Sequence, residues 1–209
     1  NNINYAHAIR GIAEVYRMLE QFSESKDNYE QAIKAYQDRG HYAGLGYAHL
    51  GLGQLNRHHD NKEDAKENIE QAIIYFGKSD DQYGLADANI ELGHLYLSEF
   101  NYKSAKGKFI VAKDVYQSLN DTWGCASAKL GMGKAIFKEQ QYDDSESELL
   151  ASLSLFNSIN DKLGQANANK ELGVLYKAIN KKDDAKSYFQ SALTLYELMQ
   201  EKAEADKVN

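Results

Sequence analysis

The amino-acid sequence predicts an all-α solenoid of five helix–turn–helix units, each 40 residues long. Three observations carry that prediction. The chain of 209 residues has no proline, where average usage of about 5% would place roughly ten; nothing in it forces a helix to break. The sequence repeats itself without insertion over residues 2–41, 42–81, 82–121, 122–161 and 162–201. Within each unit the apolar residues recur at a helical period in two blocks, at about unit positions 1–17 and 21–37.

Each element follows from the aligned columns. The first helix of a unit carries a small residue at its third, seventh and twelfth positions in almost every unit. The third position reads Asn4, Gly44, Gly84, Gly124 and Gly164; the seventh Ala8, Ala48, Ala88, Ala128 and Ala168; the twelfth Ala13, Gly53, Gly93, Gly133 and Gly173. Glycine costs about 1 kcal/mol against alanine inside a helix. A phosphate loop would need a strand before it and a helix start after it, and no β-rich run precedes these glycines. They are therefore expected where a neighbouring helix sits too close for a side chain. Asp81, Asp121 and Asp161 stand just before the next unit and are expected to cap the free amides of its first helix.

A polar break such as N-R-H-H-D-N-K or K-E-Q-Q-Y-D separates the two helices of a unit. In the second helix, positions 24, 28, 31 and 35 fall at i, i+4, i+7 and i+11, one face of a helix. They alternate small and large: Ser25, Tyr29, Ala32 and Tyr36 in unit one, Ala185, Phe189, Ala192 and Tyr196 in unit five. The single array is expected to span residues 1–201. Residues 202–209 form a polar tail or extend the last helix by two turns.

Composition excludes several functions. With 24 basic against 31 acidic residues the net charge is −7, against the basic surface that nucleic-acid binding favours. No apolar run approaches the roughly 18 residues of a membrane span. The lone Cys125 rules out an internal disulfide and fits a reducing compartment, so a cytoplasmic location is expected. The chain opens at Asn1 without a methionine, as a piece cut from a longer protein would. His58 and His59 are adjacent in a polar turn and point about 100° apart on a helix, a poor chelate; no metal set stands out. No acid pair or nucleophile–base pair stands outside the repeat pattern, so no enzyme activity, cofactor or catalytic residue is expected.

The columns resemble the tetratricopeptide repeat family. Leu172-Gly173, Tyr176, Ala185, Phe189 and Ala192 match its pattern, as do Leu92-Gly93, Tyr96, Ala105, Phe109 and Ala112. The period of 40 exceeds the commoner 34, each unit opens with D-x-x-G-x-A-x-A, and the proline that usually closes the second helix is missing. The longer form is similar to repeats of Pins-type G-protein-signalling modulators and to arrays attached to bacterial and fungal signalling proteins. The resemblance implies a right-handed superhelix whose first helices line a concave groove, and a scaffold that binds proteins or peptides.

Carrying that geometry over by position places Arg10, Arg17, Tyr47, Arg57, His94, Lys134, Phe137, Lys138, Asn167, Lys170 and Lys177 in the groove as candidate peptide-binding residues. Among all the positions so assigned, seven are basic and two, Glu14 and Asp87, are acidic. A basic trough on an acidic body favours an acidic or amphipathic peptide. The alternative is a regulatory segment of a larger signalling protein, self-associating through an array end. Unit one opens on the apolar residues Ile3, Tyr5 and Ile9, which suits such an end.

Overall fold

The computed structural model describes the backbone of residues 3–208 and the side chains of residues 3–200. It is all-α. In chain order the described helices are α1 (Ile3–Met18), α2 (Phe22–Gln37), α3 (Tyr42–His58), α4 (Lys62–Ser79), α5 (Gln82–Ser98), α6 (Tyr102–Ser118), α7 (Thr122–Lys138), α8 (Tyr142–Ser158), α9 (Lys162–Ala178) and α10 (Lys182–Val208). The polar tail continues α10.

The helices gather into two compact units, Asn1–Glu99 and Phe100–Asn209. The boundary falls inside the third sequence repeat, between its first and second helices. In each unit, neighbouring helices in the chain pack against one another, and first helices touch first helices: α1 with α3, α3 with α5, α7 with α9.

One turn geometry is used throughout. A residue with left-handed backbone ends each of the first nine helices, at Glu20, Gly40, Asp60, Asp80, Phe100, Asn120, Gln140, Asn160 and Asn180. The backbone thus repeats every 20 residues where the sequence repeats every 40. After the turn at Asp80, the amide of Asp81 donates to the carbonyl of Phe76, five residues back; Asp121 bonds Tyr116 and Asp161 bonds Phe156 in the same way. This is the Schellman closure, which satisfies carbonyls left over at a helix end. The next side chain then caps the next helix. Asp81, Asp121 and Asp161 accept from Gly84, Gly124 and Gly164 at 2.9, 2.9 and 3.1 Å, as expected from sequence. His41 does the same through Nδ1, at 3.0 Å from the Gly44 amide.

The core consists of the large residues at positions 28 and 35 of the second helices. Tyr29, Tyr36, Ile69 and Phe76 are buried in the first compact unit, and Phe109, Tyr116, Leu149 and Phe156 in the second. Burying one such side chain contributes roughly 1.5–3 kcal/mol. The glycines make room for them. A Cβ on Gly164 would run into the Phe156 ring, and one on Gly133 would stand 2.7 Å from the Leu149 side chain. Where serine replaces alanine in a small column it bonds to a carbonyl: Ser25 Oγ donates to Ala13 O at 2.9 Å and Ser145 Oγ to Gly133 O at 2.8 Å. Burying a hydroxyl costs free energy unless it is so partnered.

Candidate functional site

In the first compact unit the candidate residues stand on α1, α3 and α5. Arg10 on α1 lies over the ring of Tyr47 on α3, 5.6 Å from guanidinium to centroid, an arrangement attractive by the ring's quadrupole. Its Nε is buried without a hydrogen-bond partner. Tyr47 is braced edge-on against Phe76 at 4.8 Å. Burial, then a hydrogen bond to Asp81, push its phenol up to about 12. Arg17 clasps Glu14 through Nε and Nη2 at 3.0 and 2.8 Å. Arg57 holds Glu91 of α5 at 3.1 Å, and Gln54 donates to the other oxygen of that carboxylate at 3.0 Å. His58 is lowered by partial burial and then by the positive charges of Arg57 and Arg17. Arg17, Leu55, His58 and His59 line a cleft of about 390 Å³. His94 on α5 is half-buried.

In the second compact unit the candidates stand on α7 and α9. Lys134 and Lys170 both approach Glu171 Oε1, at 3.7 Å each. Lys138 is exposed and lies over the Phe137 ring, 5.8 Å from ammonium to centroid, and Phe137 tilts against Tyr142. Lys177 is exposed. Asn167 Oδ1 accepts from the Tyr196 hydroxyl at 2.7 Å, tying α9 to α10. His7 occupies the same unit position and shares a hydrogen bond with Tyr36 at 2.8 Å. Position 6 therefore latches onto the aromatic at position 35 of its own unit.

Two residues of these faces are missing from the sequence-based set, Glu91 and Glu171. Both sit at unit position 10, which reads Gly11, Gly51, Glu91, Gly131 and Glu171. A carboxylate where three units keep glycine was the available signal. Together with Glu14 they neutralise Arg17, Arg57, Lys134 and Lys170. The faces are thus ionic networks of mixed sign, and such half-exposed pairs contribute only about 0–1 kcal/mol each. Arg10 and Lys138 rest on aromatic rings without a carboxylate partner among the described residues.

Cys125 is partly buried. Cys125 Sγ contacts the Lys113 carbonyl at 3.8 Å, and burial, then Asp121, push its thiol up, opposite to an activated nucleophile. Among the described residues no three His, Cys, Asp or Glu side chains gather as a metal site, and no helix is long and apolar enough to cross a membrane.

These features define the class: an α-helical repeat solenoid whose first helices carry charged and aromatic faces. Residues 124–197 match the tetratricopeptide repeat family; helix pairs of similar length recur through the described chain. The fold is similar to three solved structures. BtubC (BKLC) from P. vanneervenii aligns with a TM-score of 0.79 at 17% identity, covering 92% of this chain and 80% of that one. The nearly identical TPR-like repeats of a Podosopora anserina kinesin light chain align at 0.71 and 12%, covering 96% and 99%. A Rap protein complexed with competence and sporulation factor aligns at 0.74 and 16%, covering 96% and 66%. No curated protein matches the sequence.

Proposed function

We propose that this chain is a non-enzymatic scaffold that binds acidic or amphipathic peptide segments on its first-helix faces. One observation carries the proposal. In both compact units a cation rests on an aromatic ring with no carboxylate partner among the described residues: Arg10 over Tyr47 and Lys138 over Phe137. A ligand carboxylate there would meet a charge held in place beside an apolar surface, and a charge-assisted hydrogen bond is about twice as strong as a neutral one. A tetratricopeptide-type fold that carries a bound factor, as in the Rap complex, is consistent with this use.

The test is a fluorescence-anisotropy titration with an acidic peptide at rising salt. Affinity should fall with salt, and Arg10→Ala or Lys138→Glu should each weaken it several-fold. Glu91→Gln should tighten it, because Arg57 loses its internal counter-ion. Binding indifferent to salt and to all three substitutions would overturn the proposal.

A further inference from the structure

The first two repeats are joined by three rings in mutual contact. His7 of α1 stands edge-on to Tyr36 of α2 and to His41 before α3, with centroids 5.4 Å away in both cases, and His41 stacks on Tyr36 at 5.5 Å. The histidines are peculiar to this joint. Position 6 reads Tyr47, Asp87, Ser127 and Asn167 in the later units, and position 40 reads Asp81, Asp121, Asp161 and Glu201.

The two imidazoles are held differently. His41 Nδ1 accepts from the Gly44 amide at 3.0 Å. An amide can only donate, so this cap uses the neutral ring. His7 Nδ1 meets the Tyr36 hydroxyl at 2.8 Å, and a hydroxyl can donate or accept. That latch survives a proton on His7: Tyr36 donates to the neutral ring and accepts from the imidazolium. Arg10 follows His7 by one helical turn, on the same side of α1. It converges on the same phenol, since burial pushes Tyr36 up and Arg10 opposes the push. The charged and titratable groups around His7 are thus Arg10 on its own helix, Tyr36 on α2 and His41 in the turn before α3. Tyr47 of α3 lies under Arg10, and Asp81 and Asp87 act on its phenol. Partial burial, then His41 and Arg10, hold the His7 imidazolium below its usual range; no carboxylate is among these causes.

We infer that His7 is a further binding residue of the Arg10–Tyr47 site, and that an acidic ligand binds there together with a proton taken up by His7. The inference rests on the acidic-ligand reading above. A carboxylate brought to Arg10 supplies the negative charge that the surroundings of His7 lack. It offsets the cations that discourage the imidazolium, and the proton makes His7 a charged donor, whose hydrogen bond is about twice as strong as a neutral one. The coupling is reciprocal: the factor by which the ligand favours the proton is the factor by which the proton favours the ligand. The sign follows. His7 is lowered in the free chain and is raised by the ligand toward or beyond its ordinary value of about 6.5. Affinity therefore rises as pH falls through that window, and levels off once the free chain is itself protonated.

Isothermal titration calorimetry tests this with a histidine-free peptide rich in aspartate, whose carboxylates, at about 3.9, stay ionised throughout. Binding should be about fivefold tighter or more near pH 5.5 than near pH 7.5. Heats measured in two buffers of different ionisation enthalpy should report a net uptake of protons. His7→Asn keeps a partner for Tyr36, since Asn167 accepts from Tyr196 at the same unit positions at 2.7 Å. It should abolish both the pH dependence and the uptake. A peptide that binds equally at both pH values, or more weakly in acid, would overturn the inference and leave the acidic-ligand reading standing. A pH dependence that persists in His7→Asn and disappears only in His41→Asp would overturn it too, by placing the proton on the other ring. A peptide that binds at neither pH would overturn both.

Discussion

Replacing Gly164 by alanine should destabilise the protein, although alanine is the better helix former. In an open helical site the exchange gains up to about 1 kcal/mol. At Gly164 the new methyl would overlap the ring of Phe156, which is 2% exposed and wedged between α8 and α9. Overpacking of this kind costs about 1–3 kcal/mol, so even against the full propensity gain the net loss should reach about 2 kcal/mol. Two further glycines calibrate the result. A Cβ on Gly107 of α6 meets nothing within 4 Å, and Gly107→Ala should gain nearly the full propensity term. A Cβ on Gly173 would stand 2.8 Å from Phe189, whose ring borders the open cleft and can turn aside; Gly173→Ala should fall between the others. Urea unfolding followed by helical circular dichroism ranks the three by midpoint. Equal effects of Gly164→Ala and Gly107→Ala would refute the idea that the glycine column exists to seat the aromatic column.

Other consequences can be measured on the same material. Asp161→Ala should cost about 1–2 kcal/mol, because its carboxylate accepts from the Leu163 and Gly164 amides and from the Trp123 indole; an unchanged urea midpoint would contradict the cap. Gln140→Gly should stabilise by about 0.5–1 kcal/mol, since Gln140 is held at a φ of 63° and glycine carries no Cβ clash there. His49 is half-buried beside Tyr75, shares a hydrogen bond with Asn68, and is lowered chiefly by burial. A depressed histidine contributes stability above its unfolded value of about 6.5 that is lost as pH falls through the folded value. Acid should therefore weaken the native chain less in a His49→Gln variant, and the His49 ring proton should titrate below pH 6.5 by NMR.

The repeat made most of the fold legible. The columns at positions 3, 12, 28 and 35 are small or large because helices cross there, and that constraint is written into every unit. Asp161 announced its cap for the same reason. The 20-residue recurrence of the left-handed turn was hidden, because Phe100, Gln140 and Glu20 are not turn-formers; the helix packing on either side sets their backbone. The candidate faces were legible in outline only. Position along a helix says which side a residue is on, and it placed Arg10 and Tyr47 on first helices, where they stack. It does not say which neighbour neutralises it, and so Glu91 and Glu171 were missed. The hydrogen bond that Asn167 accepts from Tyr196 was hidden as well, because its partner lies 29 residues away.

The acidic-ligand proposal turns on Arg10, and the composition offers a direct view of it. The chain has only four arginines, at 10, 17, 39 and 57, so the arginine Nε–H region of a nitrogen–proton NMR spectrum holds four signals. Titration with an acidic peptide should shift the Arg10 signal most. Arg17 and Arg57, already paired with Glu14 and Glu91, should move less, and Arg39, exposed in the turn after α2, should stay still. A bound peptide that leaves Arg10 unmoved, or that shifts Arg39 as strongly, would contradict the account.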